Sequence, residues 1–202
     1  MNTKLAQTEP EQIKKNDPVR MSGILVHPTS FPSPYGIGDL GLGAYDFIDF
    51  LADSGQTLWQ ILPLGPTGFG DSPYQGFSAF AGQPLIISPD LLIKENLLTK
   101  EDIEEEGPTD FDPRKVDYGP VIEFKTKLLK KAWKSFTHTP DKTMLEEFAL
   151  FCKEESYWLD DYTLFMACKD YHEGRCWLEW DKDILNPTDK MKKAYAEKLE
   201  KE

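Results

Sequence analysis

The chain has 202 residues, 40% of them hydrophobic and 29% charged, which is enough apolar content for one large domain or a small pair. Its 23 Lys and Arg face 35 Asp and Glu, and the net charge of -12 argues against nucleic acid or an anionic membrane surface as partner, because the whole-molecule field repels polyanions. Aromatic residues make up 12%, far more than a disordered acidic chain carries.

Residues 1–20 form a polar extension, with Glu9, Glu11, Lys14, Lys15 and Asp17 but no apolar stretch of the kind a signal peptide needs. No window approaches the roughly 20 apolar residues that span a membrane. Ser22-Gly-Ile-Leu-Val26 reads as a short β-strand, stopped by a Pro- and Gly-rich loop from His27 to Asp39. Ala44, Phe47, Ile48 and Leu51 then recur at helical spacing, and Gly55 reads as the C-terminal cap. Thr57 to Leu64 is a second β-type segment, ended by Pro63. Strand, helix and strand in about 40 residues make a βαβ unit, which pairs its strands in parallel and collects ligands at their carboxyl ends.

The loop from Gly65 to Pro84 is unusually long: structureless loops beyond about 12 to 15 residues are uncommon in compact domains and are usually functional. Beyond it the pattern turns helical. Lys100 to Glu106 follows the capping box Thr99-x-x-Asp102. Phe124, Leu128, Ala132 and Phe136 mark a further helix, on which Lys125, Lys127, Lys130, Lys131 and Lys134 are expected to be largely solvated. Met144, Leu145, Phe148, Phe151 and Cys152 mark another, and Leu164, Phe165 and Cys168 one that Gly174 ends. The charged stretch Lys190 to Glu202 starts like a helix and carries no stop signal. Three odd cysteines, Cys152, Cys168 and Cys176, form no CxxC pair; they suit reduced thiols in a cytoplasm better than disulfides or zinc. Only two or three strand candidates are visible, all before residue 90, whereas a closed (β/α)8 barrel takes about 250 residues. An α/β chain of this kind reads as the opening part of such an architecture.

The 65–84 loop is the densest in chemistry. Gly68, Gly70 and Gly76 allow close backbone approach, Asp71, Ser72, Tyr74 and Gln75 are polar arms, and Phe69, Tyr74, Phe77 and Phe80 offer flat apolar faces. That mixture suits a neutral, hydroxyl-rich sugar, whose C–H face stacks on aromatics. A phosphate cradle fits less well, since the segment lacks Lys, Arg and the GxxxxGK[ST] pattern. The bland alternative is an Ω-like loop whose aromatics pack beneath it.

Three segments carry a family resemblance: Ser22 to Ser30, Pro34-Tyr-Gly-Ile-Gly-Asp-Leu-Gly41, and the long run from Leu58 through Gly-Phe-Gly-Asp-Ser-Pro-Tyr74 to Pro84. They resemble the amino-terminal motifs of the 4-α-glucanotransferases, or amylomaltases, of glycoside hydrolase family 77. Val116-Asp-Tyr118, Tyr157-Trp-Leu-Asp-Asp-Tyr162, Leu164-Phe-Met-Ala167 and Trp177-Leu-Glu-Trp180 resemble the same family in the same order. The resemblance implies an incomplete (β/α)8 barrel. Its first βα units and substrate loops would occupy residues 21–95, and an inserted mainly helical subdomain residues 96–202. It also implies a cytoplasmic enzyme of retaining mechanism that moves an α-1,4-glucan segment to the 4-hydroxyl of an acceptor glucan or glucose. An Asp nucleophile forms a glycosyl-enzyme, a Glu serves as acid and then base, and a second Asp steadies the distorted sugar. The partners are maltooligosaccharides and other α-1,4-glucans, and no metal or organic cofactor is expected.

Carried over by position, Asp71, Ser72 and Tyr74 match the family's donor-site segment. Tyr74 would be a stacking or hydroxyl-bonding wall and Ser72 a hydroxyl contact, while Asp71 is either a sugar ligand or the loop's own brace. Phe69 stands where Tyr is commoner, and it can stack on glucan without hydrogen-bonding it. Ile122 stands where some relatives carry an aromatic. The catalytic triad lies downstream of these motifs in the family, so no catalytic residue is assigned. Asp160, Asp161 and Glu179 read as a solvated face or as caps on buried aromatics. His27 is either substrate-facing or a satisfied structural histidine, and His138 and His172 read as surface. A non-catalytic glucan-binding module is the competing reading; a helical interaction domain leaves the loop unexplained.

Overall fold

The computed structural model describes residues 20–107, 110–138, 141–185 and 187–199, so the polar extension up to residue 19 and residues 200–202 lie outside the described residues. Strand β1 (Gly23–Leu25) and strand β2 (Leu58–Gln60) pair in parallel, Gly23 opposite Leu58 and Leu25 opposite Gln60, with helix α1 (Leu42–Asp53) between them in sequence. The expected βαβ unit is therefore present, with shorter strands than the apolar runs suggest, because each strand has a single partner among the described residues. The α1 terminus closes as its sequence requires. Gly55 takes φ +67, its N–H reaches the Ala52 carbonyl at 3.0 Å, and the Gln56 N–H reaches that of Leu51 at 2.8 Å. Phe31 and Phe47 pack on Trp59 of β2 (5.6 and 5.5 Å between centroids), whose indole N–H donates to the Val26 carbonyl at 2.9 Å.

After the long loop, the apolar residues Leu85 and Ile86 lie in a 3-10 turn over Pro84–Ile86. Gln83 accepts the Leu85 N–H there, and Pro84 sets the first turn. The described residues thus hold a two-stranded sheet beneath a mainly helical remainder, a partial α/β arrangement. The remainder comprises α2 (Pro89–Lys94), α3 (Lys100–Glu106), α4 (Tyr118–His138), α5 (Lys142–Glu154), α6 (Ser156–Tyr171), α7 (Lys182–Leu185) and α8 (Asp189–Lys198). The Thr99–Asp102 capping box forms in both directions. Among the described residues, no helix is long and apolar enough to cross a membrane.

Helix α4 carries the main core. Phe124, Leu128 and Ala132 pack with Tyr35, Leu98 and Ile103, while Val121 packs with Ile37 and Leu85; Phe111 touches both groups. A separate cluster joins Cys168 of α6 to Trp180 and Leu199.

Lys125 breaks the expectation of a solvated lysine face. It stands one turn from Val121 and three residues from Leu128, inside the apolar stripe, and is 1% exposed. Its Nζ donates to the Ile87 carbonyl at 2.8 Å and lies 3.5 Å from an Asp39 oxygen. Burial pushes the ammonium down to about 8 against the pull of Asp39, and burial likewise pushes the Asp39 carboxyl up. The pair is a cross-link whose desolvation outweighs its attraction.

Candidate functional site

The two strands deliver their carboxyl ends to one place. Leaving β1, His27 caps the 3-10 turn Pro28–Ser30; leaving β2, the chain passes Leu62 and Pro63 into the long loop. That loop doubles back on itself through Gly68 N–H to Gln75 carbonyl (2.8 Å), Phe77 N–H to Pro66 carbonyl (3.1 Å) and an antiparallel bridge between Thr67 and Gly76. At its tip Gly70 and Asp71 take φ +73 and +54 in succession, a left-handed pair that Gly adopts freely and Asp tolerates.

This bend brings Asp71 to a cavity of about 210 Å³ between the strand ends, lined also by His27, Thr67, Pro73, Gln83 and Tyr118. Among the described residues the Asp71 carboxylate makes no hydrogen bond to its own loop. Its charge is felt instead across the cavity. The Tyr118 hydroxyl is held above its ordinary range, first by burial and then by Asp71. The His27 ring is fixed from both sides. Nδ1 lies 3.4 Å from the Thr29 N–H and 2.7 Å from its hydroxyl, so Nδ1 accepts and the proton sits on Nε2, facing the Pro63 carbonyl at 3.3 Å. His27 is thus satisfied structurally while also lining the cavity. Gln83 braces the opposite wall, its amide donating to the Thr67 hydroxyl at 3.0 Å.

Tyr74 faces elsewhere. It is 72% exposed and borders a second cavity of about 490 Å³, which shares Pro63, Gly65 and Pro73 with the first. Ser72 lines neither cavity; its hydroxyl accepts the Tyr74 N–H at 3.3 Å and shapes the turn. The backbone of Phe69 opens the 3-10 turn Phe69–Asp71, and its side chain lies outside the described residues. The remaining loop aromatics do pack: Phe77 meets Phe165 at 6.2 Å and Phe80 meets Trp158 at 5.8 Å. The loop thus leaves the Tyr74 ring exposed while Phe77 and Phe80 contact α6. Sequence reasoning missed Tyr118, Thr67 and Gln83 as cavity walls. Tyr118 stood in the quoted Val116-Asp-Tyr118 motif, yet nothing local ties it to Asp71.

Asp160, Asp161 and Glu179 are exposed, and Asp161 pairs with Lys192 at 2.6 Å. His138 is a surface residue bonded to the Lys134 carbonyl. His172 departs from the surface expectation. It is half-buried and stacked on Trp180, with centroids 5.3 Å apart and planes within 11°. Among the described residues no group of three or more His, Cys, Asp or Glu is placed to hold a metal ion.

Residues 26–202 match a family profile described as 4-alpha-glucanotransferase. Named 4-alpha-glucanotransferases resemble the chain closely: 49% identity over 183 residues in Synechocystis, 43% over 184 in Thermus thermophilus, and 40% over 182 in the chloroplastic and amyloplastic protein of Solanum tuberosum. These alignments cover 91%, 89% and 86% of this chain but 36%, 36% and 31% of the relatives, so the chain spans about a third of their length. Among solved structures, an amylomaltase from Streptococcus agalactiae in complex with acarbose is 40% identical, with a TM-score of 0.82 over 90% of this chain and 36% of that one.

Proposed function

This chain belongs to the 4-alpha-glucanotransferase family, and from that premise we propose that it supplies the donor-side loops of an enzyme transferring α-1,4-glucan segments between maltooligosaccharides. The observation that carries this reading is the Asp71 cavity at the joined carboxyl ends of two parallel strands, where barrel enzymes hold their substrates. Within the reading, residues 21–95 are the first βα units of a (β/α)8 barrel and residues 96–202 a helical subdomain beside it. Three unbridged cysteines suit a cytoplasmic setting.

Asp71, Ser72, Tyr74 and Phe69 form the glucan-facing segment. Asp71 accepts hydrogen bonds from sugar hydroxyls, because its carboxylate faces the cavity unspent on its own loop. Tyr74 offers an exposed ring for the C–H face of a glucose unit, Ser72 shapes the turn that carries Tyr74, and Phe69 is assigned by its position in the segment. In the retaining reaction the C1–O4 bond of the donor breaks as a carboxylate attacks C1. The leaving oxygen takes a proton from the acid, and the acceptor 4-hydroxyl returns that proton as it displaces the enzyme. No carboxylate of this chain is assigned to those steps, which makes it a binding contributor only. The alternative of a stand-alone glucan-binding module is not favoured, since the relatives it matches are named as transferases.

The test is direct. The 202-residue chain is expected to release no glucose from maltotriose and to form no longer oligomers. It is nonetheless expected to bind maltooligosaccharide in a calorimetric titration, with Asp71→Asn weakening binding by about tenfold, as loss of a charged hydrogen-bond acceptor does. Glucose release by this chain would mean that the chemistry resides in residues given structural roles here.

A further inference from the structure

The Tyr157-Trp-Leu-Asp-Asp-Tyr162 segment takes no part in the Asp71 cavity, yet α6 turns its rings toward the long loop. Phe80, 61% exposed, lies nearly flat against Trp158, with 5.8 Å between centroids and 18° between planes. Tyr157, 70% exposed, stands edge-on to Phe80 at 5.7 Å and 86°. The two exposed rings make a corner with a flat floor and an upright wall. Trp158 backs the floor and limits its rotamers, so little side-chain freedom remains to be lost when something settles on it.

Beside the corner runs a groove of about 360 Å³, where Ser78, Asp161 and Tyr162 supply polar groups. The Ser78 oxygen accepts the N–H groups of Phe80 and Ala81 (3.1 and 3.0 Å), which leaves its proton to donate outward. Charge narrows the occupant. Among the described residues Asp161 is the one acidic or basic side chain in the lining, Lys192 is already paired with it, and the nearby Lys169 ammonium sits over the Phe77 ring at 4.8 Å. A phosphorylated ligand finds nothing to hold it, whereas a pyranose finds an apolar floor and a hydroxyl-bonding rim. The groove also shares Phe77, Ser78 and Ala79 with the cavity that Tyr74 borders, so the two run into each other.

We propose that the corner of Phe80, Tyr157 and Trp158 is a second glucan contact, which takes the α-1,4-glucan chain onward from Tyr74. The proposal rests on the donor-loop reading and extends it onto α6. Calorimetric titration of the 202-residue chain with maltoheptaose tests it, using Phe80→Ala, Tyr157→Ala, Phe80→Tyr and Tyr74→Ala. Both corner rings are more than half exposed, so the alanine variants keep the fold, as matching far-ultraviolet spectra check. The expected result is about tenfold weaker binding for Phe80→Ala and for Tyr157→Ala, with Phe80→Tyr close to the unaltered chain. Unchanged affinity in both corner alanine variants, with Tyr74→Ala still weakened, overturns the corner and leaves the donor loop standing. Absence of any maltoheptaose binding by the unaltered chain overturns both.

Discussion

Lys125 carries the sharpest lesson at the scale of single residues. A buried ion pair is worth keeping intact and costly to halve, because removing one partner strands the other charge. Lys125→Met is expected to cost about 3 kcal/mol in urea unfolding, and adding Asp39→Asn is expected to restore most of it. The pH dependence follows from the direction of the shift. The folded state holds Lys125 at about 8 against the ordinary 10.5, so between those values the unfolded chain binds more protons and this group's contribution to stability rises with pH. Lys125→Met loses that rise, which a comparison of unfolding midpoints from pH 7 to 10 reads directly. Asp39 works in the opposite sense: its raised carboxyl makes stability fall as pH climbs from 3.8 to its folded value. None of this was legible locally. Five lysines on one helix look alike until Asp39, 86 residues away, selects one of them.

Elements were legible where a terminus is written into the chain. Gly55 announced the end of α1, and Thr99 with Asp102 announced the start of α3; both motifs form as the sequence implies. Strand lengths were not legible, since an apolar run reports burial and not the number of partners a strand finds. Two glycines separate the effects by experiment. A Cβ on Gly23 would fall 2.2 Å from the Leu58 carbonyl, so Gly23→Ala is expected to part the strands at a cost on the order of 2 kcal/mol or more. A Cβ on Gly55 meets nothing within 4 Å, so Gly55→Ala is expected to cost only about 1 kcal/mol through its positive φ. Amide hydrogen exchange at Val26 and Leu58 discriminates between them: fast in the first variant, little changed in the second. Helix α5 shows a different limit of pattern reading. Its Leu145, Phe148 and Phe151 have helical spacing but remain 42%, 42% and 46% exposed, because periodicity tells which face is apolar and not what lies against it.

For the whole molecule, the two-stranded sheet leaves apolar surface in the open. Leu25 and Leu58 on the strands, Ile61 just past β2, and Ile48 and Phe50 on α1 are each more than 40% exposed. Exposed apolar side chains favour association, and among the described residues each strand is paired on one side only, an edge that invites further pairing. The chain is expected to bind anilinonaphthalene sulfonate and to scatter light increasingly with concentration; silence in both measurements contradicts that expectation. Length and composition allowed one large domain or a small pair, and the placement of buried residues bears on that choice. The clusters around α4 are joined through Phe111, while Cys168, Trp180 and Leu199 form a cluster of their own. Cooperativity in folding depends on shared burial, and two cores with little in common need not melt together. A calorimetric enthalpy larger than the van't Hoff enthalpy is the signature to expect: heat is then absorbed in two stages, and a single melting temperature does not describe the chain.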